Sequence, residues 1–101
     1  MKEIKAFIRP HMLDTVVDAL EGLPHIPGLT VSEVRGWGHV KGAAVTRLTE
    51  RMKLEMVVPD DRVEEVVSLL YRTASTGHPG DGGIFVSAVE RSVRIGENHG
   101  A

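Results

Sequence analysis

The stretch KLEMVVPDDRVEEVVSLL (residues 53–70) decides the fold of this chain, because it holds a strand, a boundary and a helix in that order. Residues 53–58 alternate between charged and apolar and then become fully apolar, which is typical of a strand central in a sheet. After Pro59, apolar residues recur at helical spacing and predict one stripe of an amphipathic helix: Val63, Val66, Val67 and Leu70. Asp61 and Glu64 match the D-x-x-E pattern of a capping box at the start of this helix.

The same unit occurs earlier in the chain, at an offset of about 50 residues. Residues 4–8 predict a strand, and a second apolar stripe follows at helical spacing: Leu13, Val16, Val17, Leu20 and Leu23. A further strand closes each half, over residues 29–34 and 84–89. This βαβ–βαβ pattern predicts an α+β, ferredoxin-like sandwich, in which two helices lie on one face of a four-stranded antiparallel sheet. The other face is then exposed to water or buried against another subunit.

The composition limits the classes of function. The chain has 101 residues and is expected to form a single domain over residues 1–101. It has no Cys, which excludes disulfide scaffolds, thiolate zinc sites and cysteine nucleophiles. The net charge is -2 and only 4% of residues are aromatic, so no nucleic-acid partner is expected. No apolar run approaches the roughly 18 residues of a membrane span, so we expect no membrane insertion. The absence of Cys fits a cytoplasmic protein, which is the expected location.

A glycine-rich segment, residues 76–83, separates the second helix from the last strand. Its sequence TGHPGDGG has four glycines in eight residues, and successive backbone N–H groups in such a loop can form an anion-binding nest. A helix C-cap followed by a turn explains the same glycines equally well. The spacing therefore leaves a phosphate loop and a simple connection both open.

A second long segment, residues 35–51, links the two halves of the chain. It carries local positive charge from four residues: Arg35, Lys41, Arg47 and Arg51. The segment is long for a connection between strands, which favours either an arm that meets an anion or partner or a solvated hairpin extension. Trp37 lies between Gly36 and Gly38, so its ring is expected to pack on a neighbouring subunit or on a flat ligand. The C-terminal segment, residues 90–101, is expected to fray at its end.

The five histidines form no HxH or HExxH pattern, so no metal site within one chain is predicted. A site assembled between chains from His39 and His78 stays open, because neutral imidazoles suit Zn, Cu or Ni. There is no Gly-x-Ser-x-Gly elbow. Slow ATP hydrolysis would need Asp81 as its base, but this residue is better suited to fixing the loop through hydrogen bonds to the backbone. No catalytic residue is therefore assigned.

Four ordered motifs give the chain a family resemblance that covers nearly its whole length. GLTVSEVRGWG (28–38) resembles the G-x-T-V-[ST]-E-V-[KR]-G-[FW]-G segment of the PII family, and MKLEMVVPDD (52–61) resembles its K-[IL]-E-x-V-V-P-D-D stretch. TGHPGDGGIFV (76–86) is similar to the family's T-G-x-x-G-D-G-K-I-F-V loop, and Val93–Ile95 is similar to its V-R-I-R. On these motifs the chain is identified as a PII-like protein.

The resemblance implies a regulatory homotrimer rather than an enzyme. It implies an adenine nucleotide (ADP, AMP or ATP) as effector in clefts between subunits, with no catalytic cofactor. A long loop, residues 36–50 here, would dock on a target protein such as a transporter or an enzyme. The implied effector-binding residues are Thr30, Gly36, Trp37, Gly38, Arg51, Val57, Thr76, Gly80, Asp81, Gly82 and Arg94. Val57 and Thr76 would lie near the base, Gly80 to Gly82 would shape the phosphate loop, and Arg94 would reach the phosphates from a neighbouring chain.

The chain departs from the family pattern at several effector contacts. Gly83 replaces the Lys after G-D-G, Gly96 replaces the second Arg of V-R-I-R, and His39 and Val40 replace an Arg-Gln pair. A charge-assisted hydrogen bond contributes about 1.5–3 kcal/mol, so these losses favour ADP or AMP over Mg-ATP with 2-oxoglutarate. The loop is also shorter than in the family and lacks its modified Tyr. The alternative is a metal-binding or metal-responsive trimer that has lost the nucleotide, with His39 and His78 as ligands.

Overall fold

The structure is a computed structural model that describes residues 1–38 and 48–96. Along the chain the elements are β1 (Lys2–Ile8), α1 (Leu13–Glu21), β2 (Thr30–Gly36), β3 (Thr49–Val58), α2 (Val63–Ala74) and β4 (Gly82–Ala88). A short 3-10 turn precedes each helix, over Pro10–Met12 and Asp60–Arg62. The βαβ–βαβ order predicted from the repeat is confirmed.

The four strands form one antiparallel sheet in the order β2-β3-β1-β4. The two central strands, β1 and β3, are those whose sequences contain the repeated apolar run. Ile8 pairs with Met52 on one side and with Gly82 on the other, which defines one end of the sheet. Lys2 pairs with Val58 and Ala88 at the opposite end. The ferredoxin-like architecture is thus the fold of this chain.

The core lies between the central strands and the two helices. It is built from alternate residues of the strands and one stripe of each helix: Ile4, Ala6, Ile8, Leu54, Met56, Val58, Val16, Leu20, Val66, Leu70 and Ala74. The remaining members of the predicted stripes, such as Leu13 and Val67, are partly buried and pack against this core. The spacing in the sequence therefore predicted the buried face of both helices correctly.

The strands extend further than the sequence predicted. β2 continues to Gly36, which pairs with Thr49 at the start of β3, so both lie in the sheet rather than in the connection. β4 begins two residues earlier than expected, because Gly82 and Gly83 pair with the end of β1. Residues 39–47 of the predicted arm, and residues 97–101 of the C-terminal segment, lie outside the described part of the chain.

The predicted capping box at Asp61 and Glu64 is wrong. A 3-10 turn closed by the Arg62 N–H to the Pro59 carbonyl shifts the helix start to Val63. Arg62 then occupies the N-cap position, and its side chain makes no capping hydrogen bond.

Among residues 1–38 and 48–96, no helix has the length and apolar character that crossing a membrane requires.

Candidate functional site

The glycine loop, residues 76–82, depends on backbone conformations that favour glycine. Gly77 and Gly80 have φ values of 84° and 86°, and Gly82 has a φ of 129°. A Cβ atom at Gly82 would lie 1.8 Å from the carbonyl oxygen of Phe7, so no side chain fits there. The loop is therefore pressed against the end of β1 at the point where β4 begins.

Asp81 closes the glycine loop on itself. The backbone N–H of Thr76 donates to Asp81 Oδ2 at 2.7 Å, and the Thr76 hydroxyl donates to Oδ1. These bonds to the carboxylate, together with one from Arg9, hold the pKa of Asp81 well below its usual range; the Thr76 hydroxyl has the largest effect. Asp81 thus fixes the loop as an anion, as its hydrogen-bonding role in the sequence suggested.

Two guanidinium groups bind the glycine loop from the sheet. Arg9, which directly follows β1, donates from Nε to Asp81 Oδ1 at 2.8 Å and from Nη2 to the Pro79 carbonyl at 3.1 Å. Arg51 on β3 donates from Nη2 to the Gly80 carbonyl at 2.9 Å and from Nη1 to the Glu50 carbonyl at 2.8 Å. Arg51 was predicted as a site residue and Arg9 was not.

The predicted residues on the first strand pair gather at this same end of the sheet, here called the loop end. Gly36 ends β2 opposite Thr49, two positions from the pair between Val34 and Arg51. Trp37 and Gly38 follow directly, and the Trp37 side chain is exposed. The loop end therefore brings together six predicted residues, with Trp37 and Gly38 beside them: Gly36, Arg51, Thr76, Gly80, Asp81 and Gly82. Pro79 is a further contact found only in the structure.

The other three predicted residues lie at the opposite end of the sheet, here called the far end. Thr30 begins β2, Val57 lies one residue before the end of β3, and Arg94 follows β4. All three line one broad open groove, together with the loop of residues 24–29. The structure thus separates the predicted site into two groups.

The two groups are too far apart for one small ligand. Arg51 and Val57 are six residues apart on β3, which corresponds to about 20 Å along a strand. Arg51 also directs its guanidinium to the glycine loop rather than along the strand toward Val57. A nucleoside diphosphate cannot reach both groups within one copy of the chain.

The structure describes one of the two candidate metal ligands, His78. His78 lies in the glycine loop, where its Nδ1 atom is 3.2 Å from the Thr76 hydroxyl oxygen. His39 lies outside the described residues. In the part of the chain that is described, no group of three or more His, Asp or Glu side chains is arranged to hold a metal ion. The site between chains from His39 and His78 stays a prediction.

Comparison with known proteins identifies the family. The family model described as Nitrogen regulatory protein P-II matches residues 1–99. The chain is 42% identical to the nitrogen regulatory protein P-II of Haemophilus influenzae, over 94% of this chain and 91% of that protein. It is 44% identical to nitrogen regulatory protein P-II 1 of Escherichia coli K12 and to the P-II protein of Microchaete diplosiphon, with the same coverage. Proteins of this family are regulatory signal transducers rather than enzymes. The chain belongs to the PII family of nitrogen regulatory proteins.

Proposed function

We propose that this regulator binds an adenine nucleotide with few phosphates, ADP or AMP, in clefts between copies of the chain. The bound nucleotide controls a partner protein, a transporter or an enzyme, through loop 36–50. The family binds small effectors such as ATP, ADP and 2-oxoglutarate and acts on target proteins as trimers, which supports each part of the proposal.

The separation of the two residue groups is the observation that carries the proposal. A cleft formed between the loop end of one copy and the far end of the next uses both groups on one ligand. The loop end offers backbone N–H groups and Arg51 for phosphates. The far end offers Val57 as an apolar contact for the base, with Thr30 beside it, and Arg94 would reach the phosphates from this neighbouring copy. Such a head-to-tail contact closes into a ring when its rotation permits, and a ring of three gives three equal clefts.

Exposed apolar side chains in one copy also favour assembly. Ile95 is fully exposed and Val93 is half exposed in the segment that follows β4. On the sheet face away from the helices, Phe85 is exposed and makes an edge-to-face contact with Phe7 at 6.0 Å between ring centroids. Such surfaces are typical of protein interfaces, so a homotrimer in which they are covered is consistent with the chemistry of this chain.

The charges of the proposed cleft favour few phosphates. Arg9 is paired with Asp81, whereas Arg51 contacts only carbonyl oxygens among the bonds described and keeps its charge for a ligand. Positions 83 and 96, which carry cations in the family pattern, are glycines here. Fewer cations neutralise fewer phosphate charges, so ADP or AMP is expected to bind more tightly than Mg-ATP.

Calorimetry and light scattering on the full chain test the proposal. We expect a mass of three chains, and tighter binding of ADP and AMP than of ATP with Mg²⁺. Addition of 2-oxoglutarate should not increase the affinity for ATP. A monomeric chain that binds none of these nucleotides would contradict the proposal.

A further inference from the structure

We infer that Arg9 is a positioning residue for the effector, which acts through Asp81 and the glycine loop rather than by touching the ligand. This inference rests on the proposed nucleotide site. The sequence motifs did not include Arg9 among the site residues, and its role follows from its contacts with the loop.

Arg9 joins two separate groups of the loop. Its Nε atom binds the Asp81 carboxylate at 2.8 Å and its Nη2 atom binds the Pro79 carbonyl at 3.1 Å. A guanidinium presents its N–H groups in a rigid planar fork. One side chain therefore fixes the Asp81 carboxylate relative to the peptide group on the other side of Gly80.

These contacts determine which way the loop's N–H groups point. In a trans peptide the C=O and N–H bonds are directed to opposite sides, and the described chain contains no cis peptide. Because the Pro79 carbonyl faces Arg9, the N–H of Gly80 is turned away from that guanidinium. The Gly80 carbonyl faces Arg51, so the N–H of Asp81 is likewise turned away from the sheet. These are the donors that an anion nest offers.

The positive charge of Arg9 is already paired with the Asp81 carboxylate in the loop. Arg9 and Asp81 form an ion pair at 2.8 Å, and both side chains are largely shielded, at 27% and 22% exposure. The Asp81 carboxylate also accepts two bonds from Thr76. Arg9 therefore acts mainly by fixing the conformation of the glycine loop, whereas Arg51 offers its positive charge to the ligand.

A double-mutant cycle measured by ADP calorimetry tests this role. We expect Arg9→Met and Asp81→Asn each to weaken ADP binding about tenfold, and the double variant to bind no more weakly than either single variant. Arg9→Lys keeps the ion pair but loses the fork, so it should recover part of the affinity. Arg72→Met removes an exposed guanidinium from α2 and serves as the charge-matched control, with unchanged affinity.

If Arg9 contacted a phosphate directly, the ADP affinities in this cycle would show the opposite pattern. Asp81→Asn would then release Arg9 and tighten ADP binding, and the effects of the two substitutions would not cancel in the double variant. Either result overturns the inference, as does an Arg9→Met variant that binds like the wild type. If Arg9→Met does not fold, Arg9→Lys and Asp81→Asn still decide between the two roles. A wild-type chain that binds no ADP contradicts the proposed function itself, and the inference with it.

Discussion

The Nε atom of Arg9 donates a 2.8 Å hydrogen bond to Oδ1 of Asp81, although the two residues lie 72 positions apart in the sequence. The pairing of Ile8 with Gly82 brings the end of β1 beside the start of β4 and makes this contact possible. The fold of a single copy therefore shapes the glycine loop before any ligand binds. A preformed loop lowers the ordering cost of binding a small anion.

The close contact at Gly82 predicts a loss of nucleotide binding in Gly82→Ala. The added methyl group would lie 1.8 Å from the Phe7 carbonyl oxygen, so the loop must move away from β1. We expect a lower melting temperature and no ADP binding by calorimetry. Gly77→Ala is the matched control, because its φ is also positive but no atom beyond the two adjacent residues lies within 4 Å of the added group. It should cost about 1 kcal/mol of stability and retain binding. Equal effects of the two substitutions would contradict the steric argument.

The lowered pKa of Asp81 predicts a pH-dependent contribution to stability. The folded protein holds this carboxylate ionised more strongly than the unfolded chain, so its stabilising effect is present above the ordinary Asp pKa of about 3.9. The effect is lost as the pH falls further and the carboxylate becomes protonated. The melting temperature of the wild type should exceed that of Asp81→Asn at neutral pH, and the difference should shrink steadily as the pH falls below about 3.9. A difference that persists unchanged in acid would show that the charge of Asp81 is not the cause.

Gly83→Lys tests the preference for few phosphates. This substitution restores the cation that the family pattern has at this position. The new Cβ would lie 3.2 Å from Cε2 of Phe85, and that exposed ring can shift to admit it. We expect ATP affinity to rise about tenfold relative to ADP, as for one added charge-assisted contact. Gly83→Gln supplies similar length without charge and should leave the preference unchanged. If both variants behave alike, charge at position 83 does not set the preference.

Substitutions of a buried and an exposed residue on α2 should differ clearly in their effect on the free energy of unfolding. Leu70 is 0% exposed, and Leu70→Ala should lower the free energy of unfolding by about 2–5 kcal/mol. The adjacent Tyr71 is 69% exposed, and Tyr71→Ala should change the free energy of unfolding by no more than about 0.5 kcal/mol. Urea unfolding at one fixed protein concentration measures both, since assembly makes stability depend on concentration. A cost at Tyr71 as large as that at Leu70 would place the Tyr71 ring in an interface.

The fold could be predicted because its signals are local and repeated. The apolar spacing from Leu54 to Leu70 specifies a strand followed by a helix, and the same spacing occurs about 50 residues earlier. The exact start of α2 could not be predicted in this way. There, a 3-10 turn at Asp60–Arg62 replaces the capping box that Asp61 and Glu64 indicated.

The site was predictable only in part. The glycines of the loop and Asp81 are visible as a motif, because their roles depend on neighbouring residues. Arg9 has no such signal, since its partners become neighbours only through the register of β1 and β4. In the same way, the sequence motifs place Thr30 and Arg51 in one site, and only the strand register reveals that they lie at opposite ends of the sheet.

In the proposed trimer, each cleft uses the loop end of one copy and the far end of another. A complementation experiment tests this shared cleft with two variants. Gly82→Ala disables the loop end, and Arg94→Glu reverses a charge at the far end. Neither variant alone should bind ADP. After random reassembly of an equal mixture, about a quarter of the clefts in a cyclic trimer combine an intact loop end with an intact far end. Calorimetry should therefore detect ADP binding to about a quarter of the sites in the mixture. A mixture that binds no more ADP than the separate variants would contradict a cleft shared between copies.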